Sequence, residues 1–294
     1  MEEYSFAFCT DSNYLKYTWS CIINLIETKS MSSFYKINLI TIGELRYQEL
    51  PQIEKLGKNV ELKVIPFDSK LLSGFEGIRH VSNATFIKFF IPSLISDDYV
   101  LYIDGDIYIN NCIENIWEYK PHNEYLSAVW DPGYTMENSL IGLTDGMKTF
   151  NAGVLLLNCK KMRNDDLLSK LMSFYISNRK EIQNADQTVF NAVCKDSWKE
   201  IDASFNLQRC YYFLGHKRLK MSKNDKLKLM RNPKIVHFTT HSKPWMYRCS
   251  SPFKRKYMSN YNDLFGNDYR CKKSIIDKAK KVYETIQYFV ASFI

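Results

Sequence analysis

The stretch Tyr99-Val100-Leu101-Tyr102-Ile103-Asp104-Gly105-Asp106-Ile107-Tyr108-Ile109 decides the fold of this chain. It is a nearly continuous apolar run, interrupted by two carboxylates that stand one residue apart. Continuous apolar strands are typical of parallel sheets covered on both faces, and ligands of such sheets bind beyond the carboxyl ends of the strands. The stretch therefore predicts a central buried strand that ends in an acidic ligand site.

Asp104 and Asp106 need a source of positive charge if this strand is buried. Removing an ionised carboxylate from water costs several kcal/mol unless it is neutralised, and the segment contains no Lys or Arg. A divalent cation that prefers oxygen ligands would neutralise both side chains. An Asp-Gly pair between apolar residues is also typical of a tight β-hairpin, so the segment by itself fits a metal site and a hairpin equally.

The sequence before this stretch alternates between strand and helix patterns. In order, it predicts a strand over Tyr4–Thr10, a helix from about Tyr14 to Ser30, a strand over Ile37–Ile42, a helix over Glu44–Leu56 closed by Gly57, and a strand over Glu61–Ile65 ended by Pro66. Such a βαβαβ series predicts a largely parallel sheet, with Asp11 near the ligand because it follows the first strand. Neither G-x-G-x-x-G after the first strand nor G-x-x-x-x-G-K-[ST] is present, so a bound phosphate needs another counter-charge.

The composition is that of a folded globular protein. Of the 294 residues, 45% are apolar and 24% charged, which excludes a disordered chain. Because the first 250 residues contain no repeat or linker, we expect one domain over residues 1–250 and a separate segment over 251–294. The eight cysteines form no C-x-x-C pair, so we expect reduced thiols. No apolar run reaches the roughly 18 residues of a spanning helix, and the start Met1-Glu2-Glu3 is acidic where a signal peptide is basic, so we expect an intracellular protein.

The C-terminal part is basic and amphipathic. The net charge is 40 − 32 = +8, and much of the surplus follows Asn206. After Pro252 the pattern predicts an amphipathic helix with apolar positions Ile275, Ile276, Ala279, Val282, Tyr283, Ile286, Phe289, Val290 and Phe293. This helix either docks on the domain or rests on an anionic membrane surface. Nucleic acid is not an expected partner because no recognised nucleic-acid-binding motif is present.

Three further segments carry polar groups that fit either a ligand site or a structural role. In Thr149–Asn158 an asparagine and a glycine precede a buried strand, which fits a ligand contact or a plain turn. In Asn184–Asn191 a polar quartet opens a helical stretch, which fits a ligand contact or a helix N-cap. In Val236–Trp245, His237 and Lys243 fit a metal ligand with a phosphate contact, or a core histidine with a surface lysine.

Taken together and in this order, the four segments resemble the family 8 retaining glycosyltransferases, which include bacterial lipopolysaccharide galactosyl- and glucosyltransferases and glycogenin. The resemblance extends from about Tyr4 to Trp245. It rests on Phe8-Cys9-Thr10-Asp11-Ser12-Asn13-Tyr14, Asp104-Gly105-Asp106, Phe150-Asn151-Ala152-Gly153-Val154, Asp186-Gln187, and His237 through Lys243-Pro244-Trp245. It implies a GT-A type α/β fold, with a Rossmann-like mixed but mainly parallel sheet flanked by helices and, in this chain, a helical basic C-terminal appendage.

The resemblance also implies the donor and the metal. Members of the family bind a UDP-sugar with Mn²⁺, so UDP-galactose or UDP-glucose is the expected donor, with Mg²⁺ as the alternative ion. Asp104, Asp106 and His237 would be the metal ligands. The implied donor-binding residues are Cys9, Thr10, Asp11, Asn13, Tyr14, Lys88, Asp104, Gly105, Asp106, Thr240 and Lys243.

Four residues are implied for the transfer step. Asn151 and Asp186 would hold the donor sugar, and Gln187 would lie beneath the anomeric carbon. Asp131, after the strand over residues 125–130, would face the acceptor. Because Gln187 is an uncharged amide, retention by same-face attack is favoured over a glycosyl-enzyme intermediate.

The implied acceptor is a bacterial surface glycan or another lipid-linked saccharide, such as the lipopolysaccharide core, used at the inner face of the cytoplasmic membrane. One alternative keeps the fold but places the acceptor on a protein or a glycogen-like primer. The other is a non-catalytic module that binds a nucleotide sugar.

Two positions depart from the family pattern. Lys88 precedes the Asp104 strand where bacterial members usually have Arg, which keeps the charge but loses a bidentate grip. Thr240 stands where glycine is common between the metal histidine and the lysine, with His241 beside it. We expect these differences to alter donor affinity more than reaction class.

Overall fold

A seven-stranded sheet organises the chain in a computed structural model that describes residues 1–43, 50–75, 83–134, 140–144, 147–266 and 274–291. The strands are β1 (Glu2–Thr10), β2 (Ser33–Ile42), β3 (Val60–Phe67), β4 (Tyr99–Ile103), β5 (Ile107–Ile109), β6 (Leu126–Trp130), β7 (Phe150–Asn158), β8 (Trp198–Glu200) and β9 (Ile235–His237). The large sheet has the order β3-β2-β1-β4-β7-β6-β8, and β5 pairs with β9 in a small second sheet.

Helices cover the sheet on both faces. The α-helices of the described residues are α1 (Leu15–Glu27), α2 (Ile91–Leu94), α3 (Cys159–Asn164), α4 (Leu167–Asn178), α5 (Ala185–Cys194), α6 (Arg209–Phe213), α7 (Lys223–Arg231), α8 (Lys254–Phe265) and α9 (Ile275–Ala291). Shorter 3₁₀ helices cover Ile53–Leu56, Ser69–Leu72, Asn83–Phe90, Glu114–Tyr119 and Ala203–Phe205.

The sheet is mixed but mainly parallel, as predicted. The pairs β1/β2, β2/β3, β1/β4 and β6/β8 are parallel, and only β7 runs antiparallel to its neighbours β4 and β6. Successive side chains of a strand point to opposite faces, so Phe6 and Phe8 enter one hydrophobic layer while Ala7 enters the other. In β4, Leu101 and Ile103 likewise face the first layer.

The residues Asp104-Gly105-Asp106 do not form a hairpin turn. Strand β4 pairs with β1 and β7, whereas β5 leaves the large sheet and pairs with β9. The hairpin alternative for this segment is therefore wrong, and the two carboxylates lie in the connection between two different sheets.

Two predictions for the region before β4 concern the end of strand β3 and the helix over Glu44–Leu56. Strand β3 continues past Pro66 to Phe67, so the prediction that Pro66 ends the strand is wrong. The reason is that β3 is an edge strand, where a residue without an N–H is tolerated. Of the predicted helix over Glu44–Leu56, residues 44–49 lie outside the described residues; the remainder ends in the 3₁₀ helix Ile53–Leu56, which Gly57 closes with a φ of 66°.

Helix α9 docks with its less apolar side. Glu284 is buried and accepts a hydrogen bond from the backbone N of Ser250 at 3.0 Å. Most of the predicted apolar positions point away from the domain, including Ile275 (85% exposed) and Phe289 (66%), and Phe293 lies outside the described residues. Within the described ranges, no helix combines the length and apolarity needed to cross a bilayer.

Candidate active site

The ends of several elements meet at one edge of the large sheet. Strands β1, β4 and β6 run in the same direction, so Asp11, Asp104 and Asp131, which follow them, lie at that edge. Strand β7 runs the opposite way, and its first residues therefore return to the same edge, where Asn151 lies. The end of β9 adds His237 from the small sheet.

These residues surround a cleft of about 820 Å³. Its wall contains these predicted site residues: Cys9, Thr10, Asp11, Asn13, Tyr14, Asp104, Gly105, Asp106, Asp131, Asn151, Asp186, Gln187, His237, Thr240 and Lys243. Lys88 is the exception among the predicted residues. Its side chain is only 2% exposed and lies behind the wall, against Asp104 and Asp186.

Asp104, Asp106 and His237 form a cluster that fits a divalent cation. One ligand atom from each residue lies within 4.8 Å of the others. His237 Nε2 is 3.3 Å from Asp106 Oδ1 and 3.8 Å from Asp104 Oδ2. Two carboxylates with one imidazole suit a metal such as manganese, and carboxylates also suit magnesium. The cluster thus has the donor set and the spacing of a metal site.

Gly153 makes this close approach possible. A Cβ atom at that position would lie 2.2 Å from His237 Cε1 and 2.8 Å from Asp104 Oδ2. Any larger residue would therefore push the histidine and the carboxylate out of place. Gly153 lies inside β7, so the plain-turn alternative for this segment is wrong, and the glycine serves the site.

Lys243 lies beside Asp106 at the open side of the cluster. Its Nζ donates to Asp106 Oδ2 and, at 2.8 Å, to the backbone O of Phe238. Burial alone would raise the pKa of Asp106, but the positive charge of Lys243 and the hydrogen bonds of Lys243 and His237 outweigh it and hold the pKa well below its ordinary value. Asp106 is therefore ionised at neutral pH.

Lys88 lies at the closed side of the cluster. Its Nζ contacts Asp186 Oδ2 at 2.7 Å, Asp104 Oδ1 at 3.3 Å and the backbone O of Ala152 at 3.3 Å. Burial would lower the pKa of this lysine, but Asp104 and Asp186 raise it above its usual range, so it stays charged. Tyr102, whose ring packs 4.6 Å from Nζ, donates its hydroxyl hydrogen to Asp104 Oδ1.

Hydrogen bonds hold the Gln187 side chain in a fixed orientation between Asn151 and Asp131. Its Oε1 accepts hydrogen bonds from Asn151 Nδ2 (3.0 Å) and from the backbone N of Ala152 (3.2 Å). Its Nε2 donates to Asp131 Oδ2 at 2.9 Å. The three predicted residues Asn151, Gln187 and Asp131 are therefore joined in one hydrogen-bonded chain.

The start of α5 is not capped in the expected way. Asn184 makes no capping hydrogen bond through its side chain, so the N-cap interpretation of this segment is wrong. Ala185 has a φ of 46°, an uncommon value for a residue with a Cβ. The turn directs Asp186 toward Lys88 and Gln187 toward Asp131.

The other end of the cleft carries the segment predicted to bind uridine. Asp11 Oδ1 accepts hydrogen bonds from the backbone N of Asn13 (2.9 Å) and of Tyr14 (3.0 Å), which orders the turn before α1. Tyr14 packs edge-on against Trp245 with ring centroids 5.5 Å apart. Thr240 borders the same region with a φ of 78°, which is strained for a β-branched residue.

Several cleft residues were not predicted from the sequence. Tyr102 was taken as an apolar strand residue, although its hydroxyl reaches Asp104. Arg209 and Cys210, at the start of α6, line the cleft, and Cys210 Sγ lies 3.9 Å from Asp131 Oδ1. Asn206 lies just behind the metal cluster, bonded to Asn151 and His237. No spacing pattern could have found these residues, because each gains its partners in the site only through the packing of elements that are distant in sequence.

The fold is of the GT-A type, and an acidic cluster that fits a metal ion lies at the ligand edge of its mainly parallel sheet. A family profile described as "Glycosyl transferase family 8" matches residues 5–249. The chain therefore belongs to glycosyltransferase family 8, as the four segments predicted.

The comparisons with individual proteins agree with this assignment. Glycosyltransferase GlyD of Streptococcus pneumoniae is 30% identical over 244 residues, which are 80% of this chain; the chain spans only 28% of the length of GlyD. The galactosyltransferase LgtC, solved in complex with donor and acceptor sugar analogues, superposes with a TM-score of 0.77 and 21% identity over 94% of this chain and 99% of that one. The structure of GlyE of S. pneumoniae gives a TM-score of 0.66 at 22% identity, covering 93% of this chain and 66% of GlyE.

Proposed function

We propose that the chain is a metal-dependent retaining hexosyltransferase that moves galactose or glucose from a UDP-sugar to a bacterial surface glycan, such as the lipopolysaccharide core. The observation that carries this proposal is the cluster of Asp104, Asp106 and His237 at the ligand edge of a family 8 sheet. The similarity to LgtC, a galactosyltransferase solved with donor and acceptor sugar analogues, supports it.

The charges of the cleft suit a metal diphosphate. Asp104, Asp106 and Asp186 face Lys88 and Lys243, which gives a formal charge of −3 + 2 = −1. A divalent cation would change this to +1, which favours an anionic diphosphate. Mn²⁺, or Mg²⁺ as the alternative, would be held by Asp104, Asp106 and His237, and when bound it supplies Lewis-acid stabilisation of the departing UDP.

The remaining residues divide between the parts of the donor. We assign the uridine to the segment Cys9–Tyr14, which borders the same cleft. Gly105, Thr240 and Lys243 lie near the metal cluster and are assigned to the diphosphate. Asp186 and Asn151 are assigned to the sugar, and Lys88 acts from behind the wall by holding Asp104 and Asp186 in position.

Gln187 is assigned to the reaction centre, where its carbonyl oxygen stabilises positive charge at the anomeric carbon. This oxygen already accepts two hydrogen bonds and is uncharged, so it is a poor nucleophile. Both properties favour same-face attack over a glycosyl-enzyme intermediate. Gln187→Ala should slow hexosyl transfer while UDP-sugar binding persists, and unchanged turnover would remove Gln187 from the mechanism.

Hydrolysis of a UDP-sugar panel tests the proposed activity. We expect release of UDP from UDP-galactose or UDP-glucose with Mn²⁺, less with Mg²⁺, and none in chelator. A chain that binds the nucleotide sugar without turning it over in any metal would favour the non-catalytic alternative. Activity on a protein or glycogen-like primer, with none on saccharide acceptors, would replace the surface-glycan acceptor.

We further propose that residues 1–250 form the catalytic domain and that residues 251–294 attach it to the inner face of the cytoplasmic membrane. Lys278 and Lys280 flank the outward apolar side of α9, and each lysine near an anionic surface is worth about 1 kcal/mol. Helix α8 also supports the domain, since Tyr261 stacks on Tyr17 at 5.7 Å.

Deleting the residues beyond Arg270 tests the attachment. The shortened chain should no longer sediment with vesicles of anionic phospholipid, while UDP-sugar hydrolysis stays intact. Vesicles of neutral phosphatidylcholine serve as the control for both chains. Sedimentation of the shortened chain with anionic vesicles would refute the attachment and leave the catalytic proposal untouched.

A further inference from the structure

We propose that Asn206 is a positioning residue for the metal cluster: it fixes the ring of His237 so that Nε2 faces the position between Asp104 and Asp106 where a cation would bind. The inference rests on the proposed metal dependence. It concerns a residue that the sequence did not single out and that lies behind the cleft wall.

Asn206 is fully buried between the metal cluster and the reaction centre. Its Nδ2 donates to Asn151 Oδ1 at 3.0 Å, and its Oδ1 lies 3.1 Å from His237 Nδ1. Asn151 Oδ1 lies 3.0 Å from the same ring nitrogen. Backbone hydrogen bonds hold this arrangement, because Leu207 N donates to Ile235 O (2.9 Å) and His237 N donates to Leu207 O (3.0 Å).

The orientation of the Asn151 and Gln187 side-chain amides follows from neighbouring groups that can only donate or only accept a hydrogen bond. The backbone N of Gly153 can only donate, and it donates to Asn151 Oδ1 at 3.1 Å. The backbone N of Ala152 likewise requires an oxygen at Gln187 Oε1, so the Gln187 NH₂ group is the one that donates to Asp131 Oδ2. Asn151 therefore cannot be turned over without losing partners on both sides.

The orientation of Asn206 follows from that of Asn151. Since Asn151 presents its oxygen, Asn206 turns its NH₂ group toward Asn151 and its own oxygen toward His237. Both atoms that face Nδ1 of His237 are then oxygens, so Nδ1 carries a hydrogen. Nε2 is left as the nitrogen that faces the two carboxylates.

Partners behind a metal-binding histidine hold its ring and its tautomer, and their loss costs about 10- to 100-fold in metal affinity. The same hydrogen bonds extend through Asn151 to Gln187. Asn206 therefore joins the ring that would bind the metal to the amide assigned to the reaction centre.

Titration of the full-length chain with Mn²⁺ in the presence of UDP, followed by the paramagnetic resonance of free Mn²⁺, tests this role without turnover. Asn206→Leu should weaken Mn²⁺ binding about 10- to 100-fold. Asn206→Asp keeps an acceptor for the Nδ1 hydrogen and should stay much closer to wild type. Asn38→Leu is the matched control, because Asn38 is equally buried but donates to Ser5 and Phe6 in β1; it should bind Mn²⁺ as wild type does.

Three outcomes would overturn the inference. Wild-type affinity in Asn206→Leu would show that the ring is held by other contacts. Weaker binding in Asn206→Asp than in Asn206→Leu would indicate a structural role alone, since a buried carboxylate disturbs packing more than it helps the histidine. A wild-type chain that binds no Mn²⁺ would overturn the metal site of the proposed function together with this inference, whereas the first two outcomes leave that site standing.

Discussion

The two lysines of the cleft neutralise acidic groups in different surroundings. Lys88 is 2% exposed and contacts protein acceptors from Asp104, Asp186 and Ala152. Lys243 is 15% exposed, lies on the connection after β9 and contacts only one carboxylate of the cluster, that of Asp106. One positive charge is therefore part of the folded core, and the other borders the open cleft where a diphosphate would bind.

The number of carboxylates that each lysine contacts affects the pKa of those carboxylates. Lys88 serves two carboxylates, and burial raises the pKa of Asp186 above its ordinary value despite the lysine. Lys243 serves one carboxylate and, with His237, lowers the pKa of Asp106 despite burial. We infer that the contacts of Lys88 with Asp104 and Asp186 stabilise the fold, whereas Lys243 can turn from Asp106 to a ligand in the open cleft.

The largest expected effect is on stability. Lys88→Met leaves the buried Asp186, and the partly exposed Asp104 beside it, without this counter-charge, and we expect the free energy of unfolding in urea to fall by about 3–5 kcal/mol. Lys243→Met should lower it by a smaller amount, because this lysine is partly exposed and Asp106 keeps His237 beside it. Equal losses in the two variants would remove the distinction between the two sides.

The next effect is on turnover. Lys243→Met should lower kcat/KM for Mn²⁺-dependent UDP-sugar hydrolysis by about 10- to 100-fold, since it removes a charged donor beside the diphosphate. Lys161→Met is the control, because Lys161 forms an exposed pair with Asp165 on another face. If both variants hydrolyse at the wild-type rate, Lys243 has no part in donor binding.

A third effect is on the pH dependence of stability. The lowered pKa of Asp106 means that its ionised form stabilises the fold above about pH 4, the range of an unfolded Asp, and that this contribution is lost as the pH falls below it. In metal-free buffer, the unfolding free energy of wild type should therefore fall more steeply than that of Asp106→Asn between about pH 5 and pH 3. Parallel profiles would contradict the assigned direction of the shift.

The smallest effect concerns the strained backbone near Lys243. Thr240→Gly relieves an unfavourable φ of 78°, which offsets the added flexibility of the unfolded chain. We expect its free energy of unfolding to equal that of the wild type or to exceed it by up to about 1 kcal/mol. Thr28→Gly, at a φ of −93°, is the control and should lose about 1 kcal/mol. A similar loss in both variants would mean that Thr240 is unstrained.

The parts predicted from the sequence are those set by local pattern. Apolar runs marked β1, β2 and β4, and the carboxyl-end rule placed Asp11 and Asp104 at one edge, whereas Asp131 was implied by the family resemblance. His237 joined them through resemblance to a family, and the structure brings it within ligand distance of both carboxylates.

The remaining features depend on how elements pack, which a single sequence does not encode locally. Lys88 was expected to contact the donor, but the 3₁₀ helix Asn83–Phe90 turns it behind the wall. Asn206 carries no motif and gains its partners from the register of β9. The periodicity of α9 identified its apolar face, but it did not show which face contacts the domain. That face contains Glu284, which accepts a hydrogen bond from the backbone N of Ser250.

Calorimetric titration of UDP into the chain tests the central claim most directly, namely that Asp104, Asp106 and His237 hold one divalent cation together with the diphosphate. We expect the wild-type chain to bind UDP when Mn²⁺ is present and to lose most of this affinity when a chelator removes the metal. Asp106→Asn should lose most of its affinity for UDP even at a Mn²⁺ concentration that saturates the wild type. Equal affinity for UDP with Mn²⁺ and with chelator would contradict the claim.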